Sequence, residues 1–94
     1  MSLTQIQYFV AVAEEENVTR AARRLHVSQP PLSRQLLKLE DELGAALFDR
    51  AAAGDKRMQL SPEGRTFLEH ARRILAEVEA AEQSVKTSGG LRGT

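Results

Sequence analysis

Four polar residues at helical spacing carry the side chains in this sequence best suited to contacting nucleic acid. Gln29, Ser33, Arg34 and Lys38 follow a short turn-forming segment and supply an amide, a hydroxyl, a guanidinium and an ammonium group. Base edges and phosphates are recognised by these groups. The helix is therefore predicted to contact DNA, although an ordinary amphipathic surface helix would show a similar polar face. The residues predicted to contact DNA from this helix are Gln29, Pro30, Ser33, Arg34, Leu37 and Lys38.

A helix over residues 29–43 would position these groups. Ser28 is a suitable N-terminal cap, two prolines fall in the first turn where a missing N–H costs nothing, and Gly44 is a suitable end. The acidic residues 40–42 are predicted to face solvent and to repel phosphate, which restricts base reading to residues 29–34. Leucines recur at steps of four, three and four and predict a single buried stripe. They are Leu32, Leu36, Leu39 and Leu43.

Two shorter helices are predicted before this one. The first carries an apolar stripe at helical spacing, formed by Leu3, Ile6, Phe9, Val10 and Ala13. The second begins at Asn17 or Thr19, both of which are good caps, and turns small alanines inward. Residues 26–28 leave so short a connection that the second and third helices must cross steeply, as in a helix-turn-helix. Val27 is predicted to fill the corner, and His26 to have a structural or capping role.

The charge distribution is more informative than the net charge. The 94 residues include 13 basic and 13 acidic residues, for a formal net charge of zero. Between residues 17 and 39, however, there are basic residues and no acid, which predicts a local basic patch or, alternatively, only a solvated face. The basic residues are Arg20, Arg23, Arg24, Arg34 and Lys38.

Composition also restricts the class of protein. Without cysteine the chain has neither a disulfide framework nor a thiolate metal site, and no segment resembles a signal peptide or a membrane span. An intracellular, cytoplasmic protein is therefore expected. No nucleophile and base, and no set of metal ligands, occur at a catalytic spacing, so we expect neither an enzyme nor a bound metal or cofactor.

Two short apolar runs after Gly44 predict a β-hairpin. Residues 47–48 and 58–60 flank a small, polar tip that contains glycine and aspartate. A basic hairpin after a helix-turn-helix is a wing that can reach the DNA backbone or the minor groove, whereas a solvated connecting loop is the alternative. The wing residues predicted to contact DNA, within 50–57, are Arg50, Lys56 and Arg57.

The last predicted helix has the spacing of a coiled-coil seam. Ser61, Pro62 and Glu63 form a typical helix start. About 24 residues would reach about 36 Å, farther than so small a domain can cover on one side. We therefore predict a homodimer through this helix, with packing on another domain of the same protein as the alternative. The predicted interface residues are Phe67, Ala71, Ile74, Leu75, Val78, Ala81 and Val85.

Several motifs together resemble the N-terminal domain of LysR-type transcriptional regulators. They are LHVSQPPLSRQLLKLEDELG, LFDR, and LSPEG followed by a long helix, and the resemblance covers nearly the whole chain. It implies a DNA-binding domain at 1–60, a linker and dimerisation helix at 61–86, and a hinge at 87–94 towards an effector-binding domain. It also implies that a small-molecule effector binds only through that further domain, that the full-length protein is usually a tetramer, and that the operator is pseudo-palindromic.

The resemblance also assigns individual residues. Gln29, Pro30, Ser33 and Arg34 match recognition-helix positions that contact DNA, and Arg50 matches a wing arginine. The PPLSRQ run is similar to regulators of aromatic-compound catabolism. The wing tip is longer than is usual in the family, which leaves open whether Lys56 or Arg57 takes the role of the second wing cation.

The sequence thus predicts a mainly α protein, a winged helix-turn-helix of three helices and a short β-hairpin wing followed by a long linker helix. Its predicted function is sequence-specific binding of double-stranded DNA by the dimeric module of a bacterial-type transcription regulator. Arg34 is predicted to contact guanine, Gln29 a base edge, and Leu37 a thymine methyl group. A winged-helix module that binds only protein is the alternative.

Overall fold

The computed structural model describes residues 1–49 and 57–87, which contain four helices. Helix α1 spans Leu3–Glu15, α2 spans Val18–Leu25, α3 spans Gln29–Leu43, and α4 spans Pro62–Thr87. The base of a hairpin lies between α3 and α4. The predicted order of helix, short helix, recognition helix, hairpin and long helix is therefore confirmed.

The helices begin and end at residues suited to those positions. Ser2 and Gln5 form a reciprocal capping box at the start of α1. Asn17, rather than Thr19, caps α2, because its side-chain oxygen accepts a hydrogen bond from the Arg20 N–H at 2.8 Å. His26 ends α2 in the left-handed conformation, with φ of 59°, which confirms its predicted capping role.

Ser28 is the N-terminal cap residue of α3 by position, but its hydroxyl makes no capping hydrogen bond. A cap side chain accepts from the second or third residue of its helix. In α3 these residues are Pro30 and Pro31, neither of which has an N–H. The predicted capping bond was therefore wrong, since the prolines remove the donors that it requires.

The core is built around Phe9 of α1. Its ring lies 5.4 Å from that of Phe48 in the hairpin and 5.0 Å from that of Phe67 in α4, measured between ring centroids. These contacts join α1 to the two elements that follow the helix-turn-helix. The three leucines of α3 that pack into this core and are fully buried are Leu32, Leu36 and Leu39.

Two leucines predicted to be buried are exposed. Leu3 is 47% and Leu43 is 40% exposed. In the first turn of α1 the buried position belongs to Gln5, which completes the capping box and donates to the Gln35 side chain at 3.0 Å. Near the end of α3 the buried position belongs to Glu40, which is 8% exposed, and not to Leu43. Both polar side chains are held inside by hydrogen bonds that an apolar stripe does not reveal.

The hairpin is paired at its base. Phe48 and Leu60 form an antiparallel bridge, and the Asp49 N–H donates to the Gln59 carbonyl at 2.7 Å. A second antiparallel bridge joins Asn17 to Arg57. The second arm of the hairpin, called the returning arm, which the structure describes from residue 57, therefore also pairs with the connection between α1 and α2. The antiparallel bridge between the two arms agrees with the predicted hairpin, whose tip lies outside the described residues.

Helix α4 starts close against the hairpin. The Ser61 hydroxyl accepts from the Gly64 N–H at 2.9 Å and donates to the Ala46 carbonyl at 2.6 Å. A side chain at Gly64 would overlap the Leu47 carbonyl oxygen, so this contact requires glycine. The helix contains 26 residues, close to the predicted 24, and extends for about 39 Å. Across residues 1–49 and 57–87, no helix is both long and apolar enough to cross a membrane.

Candidate nucleic-acid interface

The outer face of α3 presents the predicted polar residues to solvent. Arg34, Leu37 and Lys38 are exposed, whereas Gln29 and Ser33 are half-buried. Pro30 is also exposed at the start of the helix. Because the leucine stripe anchors the opposite side of α3 in the core, this face has a defined orientation, and Leu37 is 55% exposed on it.

Part of the predicted basic patch is occupied by ion pairs with acids at the end of α1. The Arg24 guanidinium lies 2.8 Å from the Glu14 carboxylate and 3.3 Å from that of Glu15. Arg20 lies 3.8 Å from Glu15, and Arg72 of α4 lies 3.1 Å from Glu14. The hydrogen bond from Arg24, aided by that from Arg72, lowers the pKa of Glu14. This group of five side chains, the α1–α2–α4 ionic junction, joins the long helix to the helix-turn-helix.

The cations on α3 differ from those of the junction. Arg34 and Lys38 are exposed and form no ion pair with any residue in 1–49 or 57–87. Further along, Asp41 is exposed, and Glu42 lies 2.9 Å from the amino terminus. The face therefore carries positive charge in its N-terminal and middle turns and negative charge near its end.

Glu40 does not contribute to the exposed acidic end. Its Oε2 accepts hydrogen bonds from the Leu47 N–H at 2.7 Å and the Phe48 N–H at 3.2 Å. The prediction that all three acids at 40–42 face solvent was therefore wrong for Glu40. Its carboxylate instead holds the hairpin against α3, because it satisfies two buried main-chain donors.

Gln29 has a partner that the sequence did not identify. Its Nε2 donates to the Thr19 hydroxyl of α2 at 3.0 Å. The sequence predicts at most a capping role for Thr19, and the cap is Asn17. The contact joins residues ten positions apart on two crossing helices, so apolar periodicity cannot predict it. The only hint in the sequence is a hydroxyl at the start of one helix and an amide at the start of the next.

The wing residues are only partly described. Arg57 is exposed and lies on the returning arm of the hairpin, where it pairs with Asn17. Arg50 and Lys56 lie outside the described residues. A wing contact through these three cations thus remains a prediction.

Helix α4 divides into two parts. Ala71 is fully buried in the chain's own core and Phe67 packs on Phe9, so these two predicted interface residues contact their own domain. Ile74 and Leu75 are half-buried and also pack against this core, Val78 is half-buried, and Ala81 and Val85 are exposed. The second part of the helix therefore presents an apolar edge beyond the core.

The chemistry available at this surface is non-covalent recognition. In the described residues no cluster of three or more histidine, aspartate or glutamate side chains could hold a metal ion. His26 and His70 are both exposed, one ending α2 and the other on α4. The groups on α3 can form hydrogen bonds and ion pairs with a polyanion.

A short turn between crossing helices, a hairpin after the third helix, and a polar exposed face on that helix define a winged helix-turn-helix protein. Residues 3–65 match the family described as bacterial regulatory helix-turn-helix protein, lysR family. This chain belongs to the lysR family of bacterial regulatory helix-turn-helix proteins.

Two regulators illustrate the sequence similarity. The HTH-type transcriptional regulator TfdS of Cupriavidus pinatubonensis is 57% identical over 75 residues, which are 80% of this chain and 24% of TfdS. BsdA of Bacillus subtilis is 51% identical over 81 residues, which are 86% of this chain and 27% of BsdA. The chain thus spans about a quarter of the length of these curated relatives.

Two solved complexes illustrate the structural similarity. The BenM_DBD/catB site 1 DNA complex has a TM-score of 0.88 and 40% identity, with coverage of 96% of this chain and 98% of that one. The CbnR_DBD–DNA complex has a TM-score of 0.85 and 42% identity, with coverage of 95% and 99%. At this identity and coverage, the likeness extends over the helix-turn-helix and most of α4.

Proposed function

We propose that this chain is the dimeric, sequence-specific DNA-binding module of a transcription regulator. The observation that carries the proposal is the exposed face of α3, where Arg34 and Lys38 remain without ion pairs among the described residues while Arg20 and Arg24 are paired elsewhere. The similar domains of BenM and CbnR are described in complexes with DNA. The α3 helix enters the major groove, and the wing lies on the backbone or in the minor groove.

We assign different contacts with DNA to the residues on the outer face of α3. Arg34 matches the two acceptors of guanine, and Gln29 reads a base edge at the tip of the helix. Ser33 and Lys38 hold phosphates, and Leu37 contacts a thymine methyl group. Asp41 and Glu42 keep the end of α3 away from the phosphate backbone of DNA. Base recognition is therefore concentrated in the first turns of α3.

The test is a binding assay with DNA selected from a random pool, compared with unrelated DNA at several salt concentrations. Arg34→Ala should weaken binding to selected DNA by about 1–3 kcal/mol and relax the preference at one base position. Lys38→Ala should weaken binding to all sequences and reduce the salt dependence by about one counterion. Arg73→Ala, which removes an exposed arginine from α4, is the matched control.

Two outcomes would contradict the proposal. Equal losses on selected and unrelated DNA would reduce Arg34 to a phosphate contact. No binding at low salt by a confirmed dimer would leave a winged-helix module that binds only protein, since phosphate contacts are strongest when salt is low.

The second part of α4 supplies the dimer interface in this proposal. Its apolar edge beyond the core runs from Val78 to Val85, with Ala81 between them. Paired helices would place the two α3 helices about 34 Å apart, one turn of DNA. Such a dimer binds a pseudo-palindromic operator.

Charged residues on this edge test the dimer. The double variant Val78→Glu with Ala81→Glu should be monomeric by sedimentation and should lose affinity for an operator with two half-sites. Ala80→Glu adds the same charge to another face of α4 and should remain dimeric. If the double variant also stays dimeric, the interface lies elsewhere.

The domain boundaries also remain proposals, with DNA binding at 1–60, the linker helix at 61–86 and a hinge at 87–94. The same holds for the full protein's tetramer, its effector domain and its place among regulators of aromatic-compound catabolism. We also infer that the protein works in the cytoplasm, where bacterial DNA is found. The relatives are transcriptional regulators, a role that requires no catalysis.

A further inference from the structure

A single side-chain hydrogen bond connects the starts of the two helices of the helix-turn-helix. Gln29 Nε2 lies 3.0 Å from Thr19 Oγ1, and both side chains are half-buried. Asn17 already caps α2, so the Thr19 hydroxyl is not needed there. Thr19 is therefore available to hold Gln29, which lies at the N-terminal end of the outer face of α3.

In the structure this bond uses part of the Gln29 amide and leaves the rest for a ligand. A glutamine amide has one carbonyl oxygen and two N–H donors. The bond to Thr19 uses one N–H and leaves the oxygen and the other N–H. Adenine offers one donor and one acceptor on its major-groove edge, which this remaining pair matches.

Without its partner, the amide would lose the contact that holds it in place. The terminal torsion of glutamine is broad and roughly two-fold, so the oxygen and nitrogen could exchange places. In the exchanged orientation, the order of donor and acceptor is reversed. A threonine hydroxyl can accept from an N–H or donate to a carbonyl oxygen, so it can hold the amide in either orientation. The structure shows the orientation in which Gln29 Nε2 donates.

We propose that Thr19 is a positioning residue for base recognition, which holds the Gln29 amide in place to read adenine. Thr19 itself contacts no base. The inference rests on the proposed DNA-binding function and adds a specificity-determining residue to it. It assigns to α2 a direct influence on which base α3 selects.

The test compares Thr19→Val, which keeps the side-chain shape but removes the hydroxyl, with Thr19→Ser, which keeps the hydroxyl. Affinities are measured for the selected operator and for the three other base pairs at each half-site position. Gln29→Ala identifies the position that Gln29 reads. Thermal unfolding by circular dichroism checks that each variant is folded.

Thr19→Val should lower the preference for adenine at the Gln29-dependent position on the order of three- to tenfold, the ratio supplied by one neutral hydrogen bond. The preference at the Arg34-dependent position and the salt dependence should not change. Thr19→Ser should keep most of the adenine preference. In a Gln29→Ala background, Thr19→Val should have no further effect on base preference.

Three results would overturn the inference while leaving DNA binding intact. They are an unchanged adenine preference in Thr19→Val, an equal loss at every base position, and a Gln29→Ala variant that keeps the wild-type preference. Absence of any sequence-specific binding by the wild-type protein would overturn both this inference and the proposed function.

Discussion

Replacing Glu40 with alanine should destabilise the domain far more than its place in an acidic run suggests. Glu40 is 8% exposed, and its carboxylate accepts from the N–H groups of Leu47 and Phe48. Both of these residues are 2% exposed. In the Glu40→Ala variant the two donors lose this acceptor at a buried site.

The size of the effect follows from the two donors. A buried N–H without a partner costs about 1–3 kcal/mol, and some water can enter the space that the side chain leaves, so we expect a loss of about 2–5 kcal/mol. A domain of this size has a free energy of unfolding of about 5–14 kcal/mol. Glu40→Gln keeps an acceptor oxygen without the charge and should lose about 1–2 kcal/mol.

The assay is urea unfolding followed by far-UV circular dichroism at one protein concentration, since the proposed dimerisation would make stability depend on concentration. Asp41→Ala is the matched control, because this neighbouring acid is exposed on the same helix. It should change the free energy of unfolding by less than about 0.5 kcal/mol. Similar losses for Glu40→Ala and Asp41→Ala would refute the role assigned to the buried carboxylate.

Three further predictions concern other local features. Gly64→Ala should destabilise the fold by about 3 kcal/mol or more, because the added methyl group meets main-chain atoms. Gly44 has a φ of 72° and open space around it, so Gly44→Ala should cost about 1 kcal/mol. Both free energies are measured by urea unfolding. The pKa of Glu14 is lowered from its ordinary value of 4.5, so its ion pairs stabilise the fold above that pH, and this contribution disappears as the pH falls through the folded-state pKa. In urea titrations at a series of pH values, Glu14→Gln should therefore lose less stability on acidification than the wild type. The difference should be under about 1 kcal/mol, because the ion pairs are exposed. Asn17→Ala should cost about 1 kcal/mol, and Ser28→Ala less than about 0.5 kcal/mol because its hydroxyl makes no capping bond; equal losses in thermal unfolding would contradict this assignment.

The ionic junction illustrates why charge patterns along a chain have limited predictive value. Residues 17–39 form a basic run in sequence, yet Arg20 and Arg24 pair with acids at the end of α1. Glu14 also binds Arg72, which is 58 positions away. The partners of an exposed charge depend on which helices cross, and local spacing does not contain that information.

Sequence alone was sufficient for the helices, their order and the face of α3 that carries the residues predicted to contact DNA. Caps, prolines and apolar periodicity are local properties, and each acts within a few residues of the helix it defines. The LysR resemblance added predicted roles for Gln29 and Arg34, and the family match confirms the resemblance itself.

Only the tertiary structure decided which side chains are held inside and which remain free. Glu40 is buried while Leu43 is exposed, because two hairpin N–H groups require a carboxylate where α3 meets the hairpin. Thr19 meets Gln29 because α2 and α3 cross at their starts. Both results depend on contacts between separate elements, whereas periodicity describes one element at a time.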